Sequence, residues 1–124
     1  MSRYLLSLGS NCPGAPSMME RAERWLRLTF GAVESSGIYS SKACNGVSPD
    51  YLNMVVAVSS SLPPASVVAL GKEFECQCGR TPQSKSAGCV EMDVDVIQVD
   101  NVILRPDEFT RAYFLRGLSL LSPM

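Results

Sequence analysis

The chain has 124 residues, 46% of them hydrophobic, which is enough for one core and too apolar for a disordered segment. Eleven Lys and Arg against twelve Asp and Glu leave a net charge of −1, so no basic field points to nucleic acid or to an anionic membrane, and any anionic ligand must be held by a local cluster. Histidine is absent, which removes the commonest general base and the commonest metal ligand and leaves the chemistry to carboxylates, arginines and a bound metal.

The first apolar run, residues 4–8, is stopped by Gly9-Ser10-Asn11 and reads as a strand ending in a tight loop. It is too short for a signal-peptide core, and no run reaches the roughly 18 residues of a membrane span, so the expected location is the cytoplasm. Ser17 and Glu20 have capping-box spacing, and Met18, Ala22, Trp25, Leu26 and Thr29 recur at helical intervals. A helix over 17–30 follows, its apolar stripe serving as core. Residues 32–39 form a second strand and 40–49 a loop. Residues 51–58 form a third strand, whose alternation sets Tyr51, Asn53, Val55 and Ala57 on one face. Pro63-Pro64 opens a second helix running to residue 78 and stopped by Gly79, since proline fits a first helical turn. Residues 80–88 are a polar loop, 102–104 a short strand after the Asp100-Asn101 turn, and 109–121 a final helix.

Between that loop and that turn lies the run 89–97, where Val90, Met92, Val94 and Val96 alternate with Glu91, Asp93, Asp95 and Ile97. Period two makes it a strand with one apolar face. Its other face carries two aspartates roughly 6.5–7 Å apart and pointing the same way, able to reach one divalent ion or a pair. Hard oxygen ligands of this kind suit Mg²⁺ carrying a nucleotide's phosphates. A solvated strand face whose charges discourage edge pairing is the plainer alternative.

The order β-α-β-β-α-β is that of a ferredoxin-like α+β sandwich, an antiparallel sheet with two helices on one face and the aspartate strand at or near its centre, in a single domain over 1–124. Five cysteines, Cys12, Cys44, Cys76, Cys78 and Cys89, are an odd number, and free thiols are the simplest account. A zinc site from Cys44, Cys76, Cys78 and Cys89 is a weaker alternative, because Cys-x-Cys departs from the usual zinc knuckle.

Gly9-Ser10-Asn11, Ser35-Ser36-x-x-Tyr39, Pro49-Asp50-Tyr51-Leu52-Asn53, Glu75-x-x-x-Gly79-Arg80, Asp93-x-Asp95, Arg105-Pro106 and Arg111-x-Tyr113 follow one another along residues 4–121. The series resembles the 6-hydroxymethyl-7,8-dihydropterin pyrophosphokinase family, folate-pathway enzymes that transfer pyrophosphate from ATP to a pterin alcohol. The resemblance implies two Mg²⁺ ions on Asp93 and Asp95, with Asp95 also near the pterin hydroxymethyl group. It implies pterin contacts from Tyr51, Asn53 and a stacking Tyr113. Glu75 would lie near the adenosine, and Arg80, Arg111 and Lys72 near the nucleotide, Arg80 and Arg111 at its phosphates. Taken singly, these residues have ordinary roles too: Tyr51 and Tyr113 as core aromatics, Glu75 and Arg80 as a surface pair.

The departures fall where the family carries Arg-Trp-Gly-Pro-Arg before the aspartates. Here the tryptophan position is Ala87, the last arginine is Val90, and the usual Pro-His is Pro106-Asp107. Two missing contacts to a transferring phosphoryl group slow the chemistry by orders of magnitude unless Lys85, Lys72 or Arg105 substitutes. The family-like length from Arg80 to Asp93 suggests room for the missing arginine at position 90. The leading expectation is a Mg²⁺-dependent kinase acting on ATP and a pterin. A pterin- or nucleotide-binding protein without efficient transfer is the second, and a zinc or thiol interaction module rests on the cysteines alone. Oligomeric state is not readable.

Overall fold

The computed structural model describes residues 1–42, 49–81 and 89–121. Its elements are β1 (Ser2–Ser10), α1 (Ala15–Phe30), β2 (Val33–Ser35), β3 (Tyr39–Ser41), β4 (Tyr51–Ser60), α2 (Pro64–Gln77), β5 (Asp93–Val99), β6 (Val102–Ile103), α3 (Pro106–Phe109) and α4 (Ala112–Ser119). All pairings are antiparallel, in the order β2-β4-β1-β5-β6, with β3 beside β2 on the same flank of β4. The chain is therefore an α+β protein with one antiparallel sheet.

The alternation of β1, β4 and β5 splits the interior in two. Tyr4, Leu6, Leu8, Met54, Val56, Met92, Val94 and Val96 face α1 and α2 and bury Met19, Ala22, Leu26, Val67 and Phe74. The helices meet through Trp25 and Phe74, stacked with centroids 4.4 Å apart, a contact worth about 1 kcal/mol beyond its burial. On the opposite face Leu5, Val55, Ala57 and Ile97 pack beneath α4, which contributes Phe114. Gly117 allows that approach: a Cβ there would stand 2.3 Å from both the Tyr39 hydroxyl oxygen and Val55 Cγ2.

Three expectations change. The first helix starts at Ala15 with Gly14 as its N-cap and no side-chain cap, so Ser17 and Glu20 form no capping box. The Ala15 N–H already bonds the Cys12 carbonyl at 3.0 Å and closes a turn ahead of Ser17. The second strand is broken at 36–38, because the Ser36 hydroxyl takes the Val55 N–H at 3.0 Å and the Ser36 N–H reaches the Val55 carbonyl at 2.9 Å. The final helix is two pieces, separated where the Arg111 N–H bonds Glu108, and it lies across the sheet from α1 and α2.

Cys12 and Cys89 form a disulfide, which overturns the expectation of free thiols for this pair and removes Cys89 from any zinc set. What brings them together is Asn11. Its Oδ1 accepts the Val90 N–H at 2.6 Å and its own N–H donates to the Val90 carbonyl at 3.1 Å, pinning the end of β1 to the approach to β5. Cys76 is exposed and Cys78 buried, both as thiols, and Cys44 lies outside the described residues.

Candidate active site

Antiparallel register sets Tyr39, Asn53, Gly9 and Asp93 in one row across β3, β4, β1 and β5, all pointing to the α4 side. One pair along, Val55, Ser7 and Asp95 form the next row. Gly9 lets Tyr51 and Asn53 close in at the middle of the first row, since a Cβ there would come within 3.3 Å of Tyr51 Cδ1 and 3.5 Å of Asn53 Oδ1. The sheet thus brings Tyr51, Asn53 and the two aspartates to one end of one face.

Asn53 is buried and held. Its Nδ2 donates to Ser41 Oγ at 2.7 Å and, at longer range, to the Tyr39 carbonyl at 3.4 Å. That network spends the amide donors on the chain itself and turns Oδ1 towards Gly9. The sequence pattern does not mark Ser41; its part follows from the β3–β4 register.

The aspartates differ. Asp93 accepts from Arg80 Nη1 at 2.8 Å, and the same nitrogen lies 3.1 Å from Glu75 Oε2. Asp95, its side chain 13% exposed, is paired with Arg105 Nη1 at 2.9 Å. Desolvation, and then the charge of Asp93 beside it, push the Asp95 carboxyl up to about 7, with Arg105 opposing. Two carboxyls that repel in this way are relieved by a cation. Among the described residues no three carboxylate or cysteine side chains converge on one point. Asp93 and Asp95 would therefore hold a hard cation as a pair, with water or a bound anion completing its shell, as Mg²⁺ commonly accepts.

Glu75 is buried and turned inward, where its Oε2 accepts the Val94 N–H at 2.7 Å. That amide lies beyond the short β5–β6 ladder, and Glu75 satisfies it. Lys72 is an exposed neighbour of Glu75 at 3.5 Å. Arg111 is exposed where α4 begins, and Arg80 touches Asp93. Tyr113 is half-buried over the same end of the sheet, its hydroxyl donating to Glu108. Burial, Glu108 and then the two aspartates push that hydroxyl up, so it remains a donor.

Val90 is 4% exposed and its backbone is bonded twice to Asn11, so an arginine at position 90 would be buried in this packing. The expectation of space for a restored side chain is overturned at that position. Asp107 is exposed at the start of α3, while Lys85 and Ala87 lie outside the described residues.

The row of Asn53, Gly9 and Asp93, beside a carboxylate pair braced by arginines, lies at one end of the sheet of an α+β protein. Residues 5–123 match the model of the family described as 7,8-dihydro-6-hydroxymethylpterin-pyrophosphokinase, and the chain belongs to that family. Two curated relatives named 2-amino-4-hydroxy-6-hydroxymethyldihydropteridine pyrophosphokinase come from Porphyromonas gingivalis, strains ATCC 33277 and W83. Each is 30% identical over 98 residues, spanning 77% of this chain and 67% of its own. Among the described residues no helix is long and apolar enough to cross a membrane.

Proposed function

We propose that the chain transfers pyrophosphate from ATP to 6-hydroxymethyl-7,8-dihydropterin, with Mg²⁺, as a single domain over 1–124 in the folate pathway. The observation that carries the reading is the row that joins Asn53, Gly9 and Asp93, with Asp95 one pair away. It sets an amide suited to a polar ring beside a carboxylate pair suited to a metal-borne polyphosphate.

In this reading Asn53 Oδ1 accepts an N–H from the pterin edge, and Tyr51 and Tyr113 bound the ring. Asp95 lies beside the hydroxymethyl group, orients its oxygen and accepts its proton. The oxygen attacks the β-phosphorus, the bond to the α-phosphate oxygen breaks, and AMP leaves. Two Mg²⁺ ions held by Asp93 and Asp95 would neutralise the phosphates and favour that displacement. Arg80 and Arg111 would bear on the phosphates, and Glu75 and Lys72 on the adenosine side, Glu75 through the wall it builds.

The ferredoxin-like arrangement is part of the proposal; it is supported by β1 lying between β4 and β5, with α1 and α2 as the crossovers. So is a cytoplasmic location, where a reducing milieu would favour the dithiol form of Cys12 and Cys89. The second reading, a binding protein with little transfer, is favoured by the burial of Val90 and the carboxylate at Asp107. Incubation with Mg²⁺, ATP and the pterin, with AMP as readout, separates them. Wild type should release AMP and Asp93→Asn should not. Ligand binding without AMP would leave the second reading standing.

A further inference from the structure

We propose that Arg105 is a positioning residue with two partners: it holds Asp95 until a divalent ion arrives, then turns to the nucleotide's phosphates. The inference rests on the pyrophosphokinase reading and adds a residue to it.

The geometry separates an anchored backbone from a releasable side chain. The Arg105 N–H donates to the Ile97 carbonyl at 3.3 Å and its own carbonyl accepts from Phe109 at 2.9 Å, so the residue is fixed between β6 and α3. Its guanidinium bonds Asp95 at 2.9 Å while its other edges stand 3.9 Å from Asp107 and 4.0 Å from Glu108, too far for hydrogen bonds. The Arg105 side chain is 43% exposed against 13% for Asp95, so it can withdraw into solvent without opening the core.

Charge completes the argument. Among the described residues the Arg105 guanidinium faces three carboxylates, Asp95, Asp107 and Glu108, an acidic surrounding that suits a divalent ion. A metal bound through Asp95 must replace its charge-assisted bond to Arg105. The released guanidinium, a flat fork suited to phosphate oxygens, is then beside the metal's anionic cargo. Val90, buried and apolar, and Asp107, acidic, bring no positive charge to this end of the sheet.

The two roles predict affinity changes of opposite sign, which a merely structural brace would not give. Mn²⁺ binding to the nucleotide-free protein would be followed by electron paramagnetic resonance, and α,β-methylene-ATP binding in excess Mg²⁺ by calorimetry. Arg105→Ala should bind Mn²⁺ alone roughly tenfold more tightly and the nucleotide analogue roughly tenfold more weakly. Arg105→Lys should restore part of both, and Arg105→Gln, which keeps the stem, serves if the alanine variant unfolds. Changes of the same sign, or no change in Mn²⁺ affinity, would overturn the proposal. Absence of AMP release by wild type would instead count against the pyrophosphokinase reading, with the Mn²⁺ comparison still deciding the competition for Asp95.

Discussion

The Tyr39 hydroxyl donates to the Tyr113 carbonyl oxygen at 2.6 Å, fastening the strand that orients Asn53 to the helix that carries the aromatic above it. Arg116 covers the Tyr39 ring at 4.9 Å, so the ring stays packed if the hydroxyl is removed. Tyr39→Phe should therefore cost about 1 kcal/mol of unfolding free energy. It should weaken pterin binding while Mg²⁺–nucleotide affinity stays level. Urea titration and pterin fluorescence would check both, and an unchanged pterin affinity would detach α4 position from substrate binding.

Asn53→Ala should reduce pterin affinity by about 1–3 kcal/mol, because the ligand's polar edge is left facing an apolar methyl. Ser41→Ala should produce a smaller loss of the same kind, since it frees the amide that Ser41 Oγ holds at 2.7 Å. Nucleotide affinity should not move in either variant. Equal pterin binding by wild type and Asn53→Ala would remove Asn53 from the site.

Asp95 makes the metal-free protein sensitive to pH. Its folded carboxyl is pushed up to about 7 from the ordinary 3.8, chiefly by desolvation. A group that keeps its proton longer in the folded chain favours folding at low pH. That contribution is complete below about 4, is lost as pH rises towards about 7, and is constant above it. Asp95→Asn, which does not titrate, should flatten that part of the stability curve measured by urea midpoints without metal. Mg²⁺ competes with the same proton, so Mg²⁺ affinity should rise with pH to about 7 and then level off. An unchanged stability slope in Asp95→Asn would count against this role.

The Cys12–Cys89 bridge closes a separation of 77 residues. Reduction, or Cys12→Ser, should lower stability by about 2–4 kcal/mol, mainly by freeing the unfolded chain. Asn11 still joins the two segments in the reduced protein, so the fold should survive. Identical unfolding curves with and without reductant, together with two titratable thiols in the untreated protein, would show that the bridge does not form.

Much of this architecture was legible because period two and helical spacing survive in single segments. The alternation of Val90 to Ile97 set both aspartates on the face opposite the helix layer, and Pro64 and Gly79 bracketed α2. What was not legible arises from contacts between segments. Nothing in the spacing of Ser41 or Arg105 announces a partner, because each reaches its residue through strand register or through the β6–α3 turn. The Cys12–Cys89 pair was hidden for the same reason, since it depends on where Asn11 docks. Glu75 was legible as a residue and not as an orientation: its carboxylate turns inward to an amide that only the short β6 leaves uncovered.

Gly117 gives the site a gauge. The Tyr39 oxygen and Val55 Cγ2, each 2.3 Å from where its Cβ would stand, act as a stop against which α4 is seated. Tyr113 lies one turn earlier on the same side of that helix, so seating depth and the height of the tyrosine ring above the sheet are one variable. A relative with any side chain at this position could retain Asn53, Asp93, Asp95 and Tyr113 and still hold them at the wrong separation. The clearance available to a flat ring is written in a residue that need never touch it.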